Sequence, residues 1–258
     1  MRGHYTLGRI VCWFSCGDAS ALAAKLTITQ NPSFAVDVVY CDTFAYEHPD
    51  NRRFFADVQR WLGTDIKVIR SEEYTDIYDV FDKTGWLIGV EGARCTTELK
   101  KVPRIAYQRA DDIHVFGFTA EEGRRIRRFR EENPELLVSY PLYSAGLTKA
   151  DCHEAMRDAG IELPAMYRLG YRNNNCIGCV KGGLGYWNKI RRDFPEAFAR
   201  MAAQERKMNV AINKTETREN GKRIRHKVFL DELPEHLGRY EEEPDIQCGV
   251  LCIPKESP

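Results

Sequence analysis

The chain has 258 residues, 43% of them hydrophobic and 29% charged, enough to bury a substantial core as one domain or a domain with an appendage. Its 38 basic side chains balance 38 acidic ones, which argues against a general polyanion binder, because nucleic-acid affinity rests on positive charge facing phosphate. No apolar run approaches the ~20 residues that span a bilayer. Met1 to Arg9 lacks the apolar stretch and cleavage site of a secretion signal, so a soluble, cytoplasmic protein is expected.

Ile10 to Phe14 is a short apolar run that ends in the small and polar residues Ser15 to Ser20. Helical spacing resumes from Ala21 to Ile28, so the reading is a buried strand, a tight loop and a helix. Val36 to Cys41 predicts a second strand, and Phe54 to Leu62 an amphipathic helix. Ile66 to Ile69 and Ile113 to Phe118 predict further strands, with a stretch of mixed helical character between them. Strands alternating with helices predict an α/β fold, a mostly parallel sheet flanked by helices.

Beyond Gly123 the pattern changes. Leu136 to Leu142 reads as a strand or extended segment, Lys149 to Ala159 as a helix stopped by Gly160, and Asp193 to Met208 as another with Pro195 in its first turn. Thr215 to Arg218 and Arg223 to Leu230 flank Asn220-Gly221, a strong hairpin signal. The expected division is an α/β domain over residues 1–160 and a cysteine-rich region with the hairpin over 161–258, as two units or one.

The loop S-C-G-D-A-S leaves a strand and opens a helix, where backbone N–H groups and the positive helix end suit a phosphate. Gly17 permits close backbone approach, and Ser15 and Ser20 offer hydroxyls. A bare structural turn has the same composition. Arg124, Arg125, Arg127, Arg128 and Arg130 lie among Glu121, Glu122, Glu131 and Glu132, either a solvated helix face laced with ion pairs or a source of phosphate contacts.

Nine cysteines, an odd number without a secretion signal, point to metal binding or chemistry rather than a disulfide framework. Cys176 and Cys179 form a C-x-x-C whose spacing lets two thiolates reach one metal or act as a redox pair. Cys248 and Cys252 would complete a four-thiolate site for zinc or an iron–sulfur cluster, and Cys95 is a competing source of a ligand. Cys12 and Cys152 read as core residues, and Cys41 lies at a strand end.

Several of these segments, in consistent order over roughly residues 8 to 185, resemble the phosphoadenylyl-sulfate (PAPS) reductase family within the PP-loop class. Ser15, Gly17 and Ser20 match the S-G-G-x-D-S pyrophosphate loop; Cys16 stands for a glycine and Ala19 for the aspartate. Asp18 is adjacent and is expected to point elsewhere. Asp42-Thr43 resembles the strand-end element beside the nucleotide, and Gly117 to Arg125 the acidic-then-arginine segment. Leu163 to Tyr171, leading to Cys176-Ile177-Gly178-Cys179, is similar to the P-L-Y-x-x-G-Y…G-C-x-x-C-T stretch. Ala93-Arg94-Cys95-Thr96-Thr97-Glu98-Leu99-Lys100 is similar to the C-C-x-x-R-K element of cluster-bearing members, with Thr96 for the second cysteine. Gln247-Cys248-Gly249-Val250-Leu251 is similar to the E-C-G-L-H tail, whose cysteine attacks the substrate sulfur.

The resemblance implies a nucleotide site built from Ser15, Cys16, Gly17, Ser20, Asp42, Thr43, Gly117, Arg124 and Arg125. It implies catalytic roles for Cys248 and Cys95. The implied ligands and partners are PAPS, APS or ATP, a thiol reductant such as thioredoxin, a 4Fe-4S cluster or zinc, and magnesium with ATP. A homo-oligomer is compatible with the sequence, and nucleic acid is not the favoured partner. Two alternatives stay open: a PP-loop ATP pyrophosphatase or sulfurtransferase acting on a nucleic acid or small molecule, and a non-catalytic, metal-stapled nucleotide-binding module.

Overall fold

β1 (Ile10–Phe14) is buried along its whole length, and its alternate residues feed two different apolar clusters. Ile10, Cys12 and Phe14 face one side, and Val11 and Trp13 the other, as the period of a strand dictates. A strand apolar on both faces must be covered on both, and helices do so here. Each fully buried Val, Ile or Phe contributes about 1.5–3 kcal/mol. This computed structural model describes residues 8–89, 92–219 and 222–246.

Five parallel strands form the sheet in the order β3-β2-β1-β6-β7. After β1 come α1 (Asp18–Gln30), β2 (Val36–Cys41), α2 (Asn51–Leu62) and β3 (Ile66–Ile69). β2 pairs with β1 from Ile10↔Val36 to Phe14↔Tyr40, and β3 with β2 from Val38↔Ile66. α3 (Ile77–Thr84) and a short antiparallel pair, β4 (Ile88–Gly89) and β5 (Gly92–Ala93), follow. A helical stretch then runs through α4 (Arg94–Thr96), a π-helical turn at Thr97–Lys101, and α5 (Val102–Tyr107). β6 (Ile113–Val115) returns to β1, pairing Ile10↔Ile113. α6 (Gly123–Glu132) leads to the edge strand β7 (Leu137–Ser139), paired Ile113↔Leu137.

The rest is α7 (Pro141–Ser144), α8 (Lys149–Asp158), α9 (Ala165–Arg168), α10 (Leu184–Asp193), α11 (Pro195–Met208) and a hairpin of β8 (Asn213–Glu219) with β9 (Lys222–Val228). α1, α2 and α8 supply the apolar cluster on one face of the sheet, and α6 with Phe116, Phe118 and Tyr140 closes the other. A third cluster joins α3, Ala93 and Leu99 to α10, α11 and Leu230. No helix of the described residues is long and apolar enough to cross a membrane.

Most predicted elements appear with shifted ends. The helix expected over Asp193–Met208 starts at Pro195, and Leu184–Asp193 is a separate helix. Phe194 explains the break: a residue before proline is pushed out of the α region, and Phe194 sits at φ −142 and ψ 65. The strand expected to reach Phe118 stops at Val115, after which Phe116 and Phe118 continue into the second cluster. The arginine run on α6 is the ion-paired surface helix: Arg125 meets Glu122, Arg128 meets Glu132, and Ile126 and Phe129 are buried.

Candidate functional site

The chain moves outward from β1 to β3 on one side, then returns to place β6 and β7 on the other. The strand order therefore reverses between β1 and β6. In open parallel sheets the crevice beyond the carboxyl ends of the strands at such a reversal is where ligands bind. Two segments meet there, Ser15–Ser20 leaving β1 and Gly117–Thr119 leaving β6. A Cβ on Gly117 would lie 2.7 Å from the backbone of Ser20, so only glycine lets the end of β6 approach the start of α1.

Within the loop, Ser20 Oγ accepts from the Ser15 amide at 3.1 Å and donates to the Gly17 carbonyl at 2.9 Å. Ser15 Oγ donates to the same Ser20 oxygen at 3.1 Å. Cys16 takes the left-handed conformation, φ 56, which is costly for a residue with a side chain and turns the chain into α1. Its thiol is fully buried and points to the Asn51 carbonyl at 3.4 Å, and burial pushes its pKa well up. Cys16 could therefore serve a ligand only through its backbone. Gly17 N-caps α1, whose first N–H groups have no intrahelical acceptor.

Asp18, set aside from the sequence as pointing elsewhere, is completely buried and points towards α8. Its carboxylate accepts from Lys149 Nζ and from Tyr167 OH, the latter at 2.8 Å, and its second oxygen lies 3.2 Å from His153 Nε2. Lys149 and His153 sit one turn apart on α8, whose start is fixed by a capping box of Thr148 and Asp151. Tyr167 OH also accepts from Lys149 at 2.9 Å and lies 3.4 Å from where a Gly17 Cβ would be. Burial, then the charge of Asp18, holds the Tyr167 phenol far above its usual range, so it stays a donor. Sequence reading missed Lys149 and His153; their i, i+4 spacing behind a capping box was the available signal.

Asp42 and Thr43 follow β2. Asp42 accepts from the Phe44 amide at 3.3 Å and pairs with Arg70 at 3.6 Å. Thr43 is buried and donates to Glu47, which also accepts from Tyr40 OH at 2.9 Å and Asn51 Nδ2 at 2.8 Å. Arg124 is exposed, whereas Arg125 stacks on Phe118 at 4.6 Å while bound to Glu122.

Cys95, Cys176 and Cys179 line one cavity, together with Tyr46 and Lys100. The C-x-x-C turn is built locally. Gly178 holds φ +73, and a Cβ there would press on Trp187 at 3.2 Å. Tyr186 OH donates to the Cys176 carbonyl at 3.1 Å and accepts from the Cys179 amide at 2.9 Å, clamping both ends of the turn. Cys95 enters on α4, directly before the π-helical turn that carries Lys100, a distortion that often marks functional sites. Tyr46 OH is buried with no hydrogen-bond partner among the described residues, and its pKa is pushed up by burial and then by nearby Cys176 and Cys95.

Three thiols suit zinc or an iron–sulfur cluster by donor chemistry. Among the described residues no group of three His, Cys, Asp or Glu is arranged to hold a metal ion. Cys248 and Cys252, the expected partners of the C-x-x-C, lie outside the described residues. Burial pushes the thiols of Cys12, Cys41 and Cys152 up to about 12, which keeps them protonated and inert. The loop and the cysteine cavity are joined by Asn174, which donates to the Cys16 carbonyl and, at 2.9 Å, to Asn51 Oδ1.

No family model matches the chain, and no curated protein does. Among solved structures, the chain is similar to a crystal structure of phosphoadenylyl-sulfate (PAPS) reductase from Candida auris in a phosphate complex. The TM-score is 0.47 and the identity 12%, over 66% of this chain and 82% of that one.

Proposed function

We propose that this chain is an enzyme of the sulfonucleotide-reductase kind. It binds an adenine nucleotide (PAPS, APS or ATP) at the loop leaving β1 and performs thiol-dependent sulfur chemistry beside the cysteine cavity. The supporting observation is convergence. Tyr167, from the Leu163–Tyr171 segment, reaches the loop at Gly17, and Cys95 shares a cavity with the distant C-x-x-C.

In this reading the α1 N-terminus faces the anionic part of the nucleotide, with Lys149 and His153 holding Asp18 behind it. A cysteine thiolate, Cys248 in first place, attacks the sulfur; the sulfur–oxygen bond breaks and AMP or its 3′-phosphate leaves. A dithiol such as thioredoxin then releases sulfite from the cysteine and is itself oxidised to the disulfide. Cys95, Cys176 and Cys179 would hold the cluster or zinc with a fourth ligand, and a metal there would supply positive charge and staple the turn.

The test is calorimetric titration of anaerobically purified protein with adenylyl sulfate, its 3′-phosphorylated form and ATP, beside iron, sulfide and zinc analysis. A sulfonucleotide is expected to bind, with a broad absorption band near ~400 nm if a cluster is present. Cleavage of ATP to AMP and pyrophosphate would replace this reading with a PP-loop transferase. Failure to bind any of the three nucleotides would overturn both.

A further inference from the structure

The β8–β9 hairpin carries a charge pattern that the site does not use. Residues directly opposite in an antiparallel pair share a face, and so do residues two apart along a strand. The register Lys214↔Lys227, Glu216↔Arg225 and Arg218↔Arg223 therefore puts five cations and one carboxylate on a single face. The chain as a whole is neutral, so this face is a local concentration of charge rather than a reflection of composition.

Its arrangement is costly when alone. Two of these three opposite pairs are like-charged, and like charges directly opposite destabilise a ribbon. Glu216 meets Arg225 at 2.8 Å and Arg223 at 3.8 Å; Lys214 and Arg218 form no ion pair among the described residues. The five cations are exposed, Arg223 and Arg225 at 65% and 67% of their side chains. Protection of exposed strand edges explains charge in a hairpin, but it does not require like charges in register on one face.

We propose that this face of the β8–β9 hairpin is a docking surface for a nucleic-acid backbone. Cations repeat at roughly 6.8 Å along β9 (Arg223, Arg225 and Lys227) as a line of positive charge, while on β8 Lys214 and Arg218 flank Glu216, and a two-stranded ribbon has the width to enter a major groove or follow a single strand. A bound phosphate chain would relieve both like-charged pairs. The inference goes beyond the reading of the cysteine site and is independent of it, because hairpin variants leave the loop and the cysteines untouched.

The experiment is fluorescence anisotropy of the full chain with labelled single-stranded DNA, duplex DNA and an RNA hairpin, each of about 20 nucleotides or base pairs per strand. Affinity for at least one probe is expected to fall about a hundredfold between about 50 and 200 mM salt, the response for some four neutralised phosphates. Arg218→Glu with Arg223→Glu should lower affinity at low salt by about tenfold or more, and Arg218→Lys with Arg223→Lys should keep it within about threefold. The single change Arg218→Glu should weaken binding while leaving the melting temperature equal or higher, because it converts a like-charged pair into an ion pair. If the double reversal fails to fold, the Arg218→Gln and Arg223→Gln pair carries the same test. No saturable binding at low salt, binding indifferent to charge reversal, or binding confined to phosphatidylserine vesicles would each overturn the proposal.

Discussion

Asn174 donates its side-chain N–H to the backbone carbonyl of Cys16 across 158 residues of chain, and it stands two residues before Cys176. One amide thus fixes the loop beyond β1 and the entry to the C-x-x-C turn, and its second bond ties α2 into the same junction. Replacing it with leucine would leave the Cys16 carbonyl buried without a donor. Asn174→Leu should cost about 1–3 kcal/mol, read by urea denaturation, and should weaken nucleotide binding at a distance. Unchanged stability would mean that the loop is held by its own serines.

Gly17 occupies an ordinary extended conformation, φ −123, so its role rests on space rather than backbone freedom. Gly17→Ala places a Cβ 3.4 Å from Tyr167 OH and should fold normally. Gly17→Leu should abolish adenine-nucleotide binding, and because Gly17 is buried the larger side chain should also cost about 1–3 kcal/mol, so binding is measured well below the variant's melting temperature. Full affinity in the leucine variant would refute the phosphate-loop assignment.

Asp18 is wholly buried and Lys149 is its partly exposed cation. Removing the cation leaves the buried carboxylate with only Tyr167 OH and the His153 ring beside it. Lys149→Met should destabilise by about 2–3 kcal/mol, at or below the lower end for a broken buried pair because the lysine is partly solvated. Adding Asp18→Asn should recover most of the loss. Thermal melts of the single and double variants check both steps.

Gly178 meets two constraints at once, a left-handed backbone and the Trp187 ring 3.2 Å from any Cβ. Gly178→Ala should cost about 1–3 kcal/mol through strain and should lower metal content in the same preparation if the cavity holds a metal. A variant with wild-type stability would show that the turn can relax.

His114 is held neutral, with a pKa near 4, by burial and then by the nearby Arg104 cation; its Nδ1 accepts from Trp13 Nε1 at 3.0 Å. The unfolded chain protonates near 6.5, so between these values it binds the extra proton. Stability from this group is present above the unfolded value and lost as pH falls towards the folded one. The drop from pH 7 to about 5 should be about 2 kcal/mol, and His114→Gln should remove it. Urea midpoints at the two pH values decide.

The sheet was legible because its strands are short apolar runs separated by polar loops, a signal set by burial on both faces. Element ends were less so: Phe194 breaks a helix through the proline that follows it, and α10 begins among glycines, which are poor helix formers. In the site, the cysteines and the loop stood out by spacing. Asp18 did not, because a carboxylate in a loop proposed to hold phosphate looks misplaced until Lys149 and Tyr167 are seen to surround it. Tyr46 and Asn174 gave no pattern at all; their meaning comes from which distant groups they touch.

The partners of Asp18 and of the Cys16 carbonyl have a consequence for dissecting the gene. A fragment ending near residue 160 keeps every strand of the parallel sheet yet loses Tyr167 and Asn174. It would retain Lys149 on α8 but leave the loop's turn without its outer supports. The sheet and the grip of its loop are encoded in different stretches of the message, and recombination between them would separate the scaffold from the residues that hold its loop.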